Sequence, residues 1–131
     1  MALLQALLPV SLSPDEFDLD ATKTWLREAG YLKDIDKKRF SLWLADISSR
    51  LQELDMAIEA YVRDRSLEEL GHAELTILRI ATYELTYANV PQPVTINEWV
   101  EIAKEFGAVN SYRFINGVLD KLATALRQPT E

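Results

Sequence analysis

Hydrophobic residues recur every three or four positions along most of this chain, and no strand-length alternation interrupts them. Phe40, Trp43, Leu44, Ile47, Leu51 and Leu54 share one face of a helical region running from about Asp36 to Val62, with Arg39, Asp46 and Arg50 on the other side. A second stripe through Leu51, Met56, Ile58 and Tyr61–Val62 drifts in phase. That drift predicts a break near Gln52–Asp55 and therefore two helices. Leu67 and Leu70 are placed to cover the core before Gly71. From Ala73 to Tyr87 the chain is apolar on nearly every side, the pattern of a helix central in its domain.

Punctuation divides the rest. Ala2–Leu8 is expected to form a short helix stopped by Pro9, and Ser13–Pro14–Asp15–Glu16 is a helix-start signal for a helix expected to end at Gly30. The Asn89–Val90–Pro91–Gln92–Pro93 segment breaks the central helix from the next one. Thr95 with Glu98 three residues on has capping-box spacing, and predicts a helix from there to Phe106 that ends at Gly107. Asn110 or Ser111 starts the last helix. The chain reads as all-α, and its 131 residues suit one domain.

Composition narrows the function classes. No apolar run reaches the roughly 20 residues of a membrane span, and the start MALLQALLPV lacks the basic region of a signal peptide. With no cysteine, disulfides and thiolate metal sites are excluded, and a cytoplasmic setting is expected. A formal net charge of −7 argues against a protein that coats nucleic acid non-specifically. The charge is uneven, however. No Lys or Arg precedes Lys23, whereas Arg113 to Arg127 is mildly basic.

Candidate chemistry is sparse. The single His72 has no neighbouring acid–base partner and reads as a surface or structural residue. Glu98, Glu101 and Glu105 with Lys104 read as a solvated stripe, and no spacing assembles a metal-ligand set. No phosphate-binding glycine loop or nucleophile elbow occurs, so no catalytic residue, metal or cofactor is expected. Asn97 is expected to be a buried amide that bonds the proline-broken loop. Gly117 costs about 1 kcal/mol inside a helix, so close helix packing is the expected compensation. Asn116 beside it reads equally as a helix-to-helix bond or a surface contact.

These features occur together in a known family. Leu78–Arg79–Ile80–Ala81, Tyr83–Glu84–Leu85, Val90–Pro91, Ile96–Asn97–Glu98, Glu101–Ile102–Ala103–Lys104, Phe106–Gly107 and Phe114 to Lys121 closely resemble blocks of the NusB family of transcription antitermination factors. The strong match covers roughly the last 60 residues. The resemblance implies a non-enzymatic, all-α helical bundle of about seven helices in one domain, residues 1–131. It would have an N-terminal subdomain of about 1–66 and a C-terminal subdomain of about 67–131. It further implies a factor that binds boxA RNA of nascent ribosomal transcripts together with NusE, a small-subunit ribosomal protein, within the RNA polymerase antitermination complex. Such a factor is a monomer or a homodimer.

Carried onto matching positions, the resemblance makes Asn110, Arg113, Phe114 and Lys121 the candidates for RNA contact, and Glu74, Arg79 and Glu84 those for the NusE face. Single-stranded RNA is held by stacking on aromatic rings and by cations against phosphate. Phe114 beside Arg113 supplies one of each, and Lys121 returns to the face of Phe114 after two turns. The plainer assignment puts Phe114 in the core and Lys121 in solvent. The family's N-terminal arginine cluster has no counterpart before Lys23. A second reading follows from that departure, a protein-interaction or dimerisation module with weakened or lost RNA binding. A third, a domain that feeds RNA to an attached methyltransferase, has no methyltransferase sequence here to support it.

Overall fold

The computed structural model describes residues 7, 37–62, 66–88, 90–106 and 111–127. Within them lie five α-helices and no strand: α1 Lys37–Ser49, α2 Leu51–Glu59, α3 His72–Tyr87, α4 Gln92–Phe106 and α5 Ser111–Arg127, with a 3-10 turn at Leu67–Glu69 before α3. The all-α expectation holds. Leu7 is helical and buried. The start signal at Ser13–Glu16 and the expected helix ends at Gly30 and Gly107 lie outside the described residues.

The region around Asp36–Val62 is two helices, but the break falls at Arg50, before the expected Gln52–Asp55. Two serines end α1. The Ser48 hydroxyl donates to the Leu44 carbonyl at 2.7 Å and that of Ser49 to the Asp46 carbonyl at 2.8 Å, competing with the helical ladder at its last turn. Arg50 then leaves helical geometry at φ −113°, ψ 14°. Met56 falls outside the predicted stripe: it lies two residues from both Leu54 and Ile58 in α2, on the opposite side of the helix, and is 66% exposed while they are buried.

Helix α3 is central, as its apolar surface requires. Ile77, Leu78, Ile80 and Ala81 are fully enclosed, and α3 packs against α1, α2, α4 and α5. Each large aliphatic side chain so buried contributes about 2 kcal/mol. The start of α3 carries the reciprocal half of a capping box: the Gly71 N–H donates to Glu74 Oε1 at 3.3 Å. Leu70 is buried just before it, covering the core as predicted.

The Thr95 capping expectation fails. Helix α4 begins at Gln92, because the Pro91 carbonyl accepts the N–H groups of Val94 and Thr95 at 3.0 and 3.3 Å. Pro93 sits in the first turn, where a missing N–H costs nothing. Thr95 is therefore interior, and its buried hydroxyl has no hydrogen-bond partner among the described residues. Helix α5 closes the core with Ile115, Val118, Leu119, Leu122 and Ala123, spaced for one face.

Candidate nucleic-acid interface

Helices α4 and α5 run antiparallel. The Gln92 side-chain amide at the start of α4 donates to the Ala123 carbonyl near the end of α5 at 3.2 Å. At the other end, Lys104 Nζ lies 5.3 Å from the Tyr112 ring centroid. With the core stripe of α5 turned inward, its remaining positions form two outward stripes.

One stripe holds Phe114, Gly117 and Lys121, three and four residues apart and hence stacked on one side of the helix. Lys121 is exposed, and Phe114 is half-buried, its ring packed on the edge of the core. Phe114 thus sits between the two assignments the sequence left open. Gly117 corrects an expectation. Among the described residues no helix presses on it, and a Cβ added there would meet nothing within 4 Å. The glycine leaves bare backbone between an aromatic ring and a cation.

The other stripe, Tyr112, Arg113, Asn116 and Asp120, lines a groove of about 740 Å³ against Asn97, Val100, Glu101 and Lys104 of α4. Arg113 Cζ lies 5.8 Å from the Tyr112 ring centroid, and Arg113 Nε donates to the Tyr112 hydroxyl at 3.3 Å. Lys104 donates to Glu101 at 2.8 Å, a bond that holds the ammonium pKa above its ordinary value. Asn97 is exposed here, contrary to the buried amide expected of it. It lines the groove together with Asn116 of α5.

The structure therefore separates the RNA candidates. Phe114 and Lys121 share a stripe, Arg113 turns to the groove rim, and Asn110 lies outside the described residues. Tyr112 and Lys104 were missed as site residues. The signal was a tyrosine beside Arg113 and a lysine one turn from the end of α4, which only helix pairing brings together.

The partner candidates spread around α3. Glu74 caps its own helix through Gly71. Arg79 grips Asp55 of α2 through two hydrogen bonds, at 2.8 and 2.9 Å. Glu84 is half-buried toward α4. Burial raises its pKa, and the indole N–H of Trp99 offsets part of that rise without reaching hydrogen-bond geometry. Among the described residues no group of His, Asp and Glu is placed to hold a metal, and no helix is long and apolar enough to cross a membrane.

Comparison with known proteins agrees with this architecture. The NusB family model matches residues 1–124. Transcription antitermination protein NusB of Escherichia coli and that of Shigella boydii are each 42% identical over 125 residues, spanning 95% of this chain and 88% of theirs. A solved structure of NusB from T. maritima matches with a TM-score of 0.79 at 35% identity, covering 94% of this chain and 86% of that one. By shared sequence along nearly its whole length and by shared fold, the chain belongs to the NusB family of transcription antitermination factors.

Proposed function

We propose that this chain acts in transcription antitermination by holding boxA-type RNA of nascent ribosomal transcripts jointly with NusE, in the RNA polymerase antitermination complex. The observation that carries the reading is the Phe114–Gly117–Lys121 stripe. An aromatic edge, a side-chain-free gap and an exposed cation are the parts needed to stack a base and meet its phosphate. Arg113 on the adjacent rim, and Asn110 just before α5, extend the proposed contact. The overall charge of −7 limits RNA affinity for the chain alone, which favours joint binding with a second protein. For that protein we propose α3 as the contact helix, with Glu74, Arg79 and Glu84. Each of these three side chains is partly exposed along the helix.

The test mixes the purified chain, NusE and labelled boxA RNA, omitting each component in turn. Tighter RNA retention with both proteins than with either alone is expected. Phe114→Leu, which keeps apolar bulk at the core edge, and Lys121→Ala should each weaken the ternary complex. Lys121→Ala should also lower the slope of log affinity against log salt by about one. Equal retention of scrambled RNA sinks the proposal. Association with NusE, or self-association, without RNA retention points instead to a protein-interaction or dimerisation module.

A further inference from the structure

The α4/α5 groove lies on a different side of α5 from the Phe114–Lys121 stripe, and its chemistry is ordered along its length. At one end are two cations beside an aromatic ring, Lys104 and Arg113 around Tyr112. Between the ends two exposed amides, Asn97 of α4 and Asn116 of α5, line the groove. One turn beyond Asn116, short of Ala123 and Thr124, stands the exposed carboxylate of Asp120. Arg113 to Asp120 is seven residues of helix, about 10 Å at a rise of about 1.5 Å per residue. That is the reach of one nucleotide from its phosphate to the outer edge of its base.

We infer that this groove is a subsite for one nucleotide of single-stranded RNA whose base carries an exocyclic amine, guanosine foremost. The inference rests on the RNA-binding reading above and deepens it. A phosphate at the cationic end displaces Glu101 from Lys104 at little cost, because that ion pair is solvent-exposed. The sugar and base then lie along the amides, each of which offers both a donor and an acceptor.

Asp120 sets the choice of base. A carboxylate near RNA repels phosphate and is tolerated only where it accepts hydrogen bonds. Guanine offers it two parallel N–H donors, and cytosine and adenine offer an amino group. Uracil presents carbonyl oxygens on both sides of its single N–H, and these meet the carboxylate's lone pairs. The groove therefore discriminates by rejection as well as by attraction.

Four uridine-rich single-stranded RNA hexamers, identical except for a central G, C, A or U, test this against the chain with NusE present. The central-G hexamer should bind roughly tenfold more tightly than the central-U one, as expected for one bidentate base contact. Asp120→Asn should shrink that preference to about twofold or less. The Asn97 and Asn116 side-chain amide signals should shift in NMR spectra on adding the G hexamer. Equal affinity for G and U, or a preference that survives Asp120→Asn, overturns the subsite. So does a shift of those amides with NusE alone and none with RNA, which would make the groove a protein contact. If all four hexamers bind alike and Phe114→Leu weakens all four, the subsite falls and the wider RNA reading stands. If none binds, both fall.

Discussion

Arg79 of α3 and Asp55 of α2 form a two-point ion pair, Nε to Oδ1 at 2.8 Å and Nη2 to Oδ2 at 2.9 Å, with the arginine side chain only 12% exposed. A planar guanidinium matches a carboxylate in this way, and a lysine ammonium does not. The pair fastens the central helix to the second one. Arg79→Ala should therefore destabilise the fold by about 2–3 kcal/mol, since it strands a partly buried carboxylate. Arg79→Lys should recover only part of the loss. Urea unfolding of the three proteins, followed by circular dichroism, checks both. Equal stability of the lysine variant and the parent would show that bidentate geometry contributes nothing.

A second tie joins α1 to α3. The Tyr83 hydroxyl donates to Asp46 at 2.6 Å, and Arg50 donates to the other oxygen of the same carboxylate at 2.9 Å. Burial, and then the bond to Asp46, push the Tyr83 phenol up to about 12 from its ordinary 10. The unfolded chain thus loses this proton before the folded one does. The stabilisation is complete below pH 10, drains away as pH rises from 10 to about 12, and amounts to roughly 2–3 kcal/mol. The tyrosine's bond holds Asp46 below its ordinary value, so that part is lost at the acid end. Tyr83→Phe should flatten the alkaline fall in stability over that window. An unchanged alkaline slope would remove Tyr83 as its cause.

Glu84 behaves oppositely. Burial raises its pKa, so the folded state prefers the protonated acid. Stability from this preference is present below the unfolded value of 4.5 and is lost as pH rises through the folded one. At neutral pH the carboxylate is a burden. Glu84→Gln should raise the melting temperature at pH 7, and the gain should vanish by about pH 4. A melting temperature lowered at pH 7 would instead mean that the charge has a favourable partner.

Gly117 sets stability against function. It is exposed in mid-helix with open space above it, so Gly117→Ala should stabilise the fold by about 1 kcal/mol. If RNA lies on the Phe114–Lys121 stripe, the added methyl should also weaken boxA binding. Melting and RNA-retention assays on the one variant read both effects. A protein that is more stable and binds RNA unchanged would move the RNA off this stripe.

Local pattern carried the fold a long way. The period of Phe40, Leu44 and Ile47 and the all-round apolarity of Ile77–Leu85 located the core helices, because a helix face is fixed by spacing alone. Boundaries were less legible where several local bonds compete. Ser48 and Ser49 ended α1 early, and the Pro91 carbonyl started α4 a turn before Thr95. The candidate site was legible only in part. Phe114 and Lys121 share a stripe by spacing within one helix, whereas Lys104 meets Tyr112 only through the pairing of two helices.

By itself the sequence determined an all-helical chain, its central helix and its place in the NusB family, since periodicity and spaced blocks are properties of the chain in one dimension. The tertiary structure alone decided the rest. It turned Asn97 from an expected core amide into a groove residue and showed Gly117 beneath open space. It also tied Arg79 to Asp55 across 24 residues of sequence. Which polar group ends in solvent, in an ion pair or across a groove depends on how helices are rotated against one another, and no single helix encodes that angle.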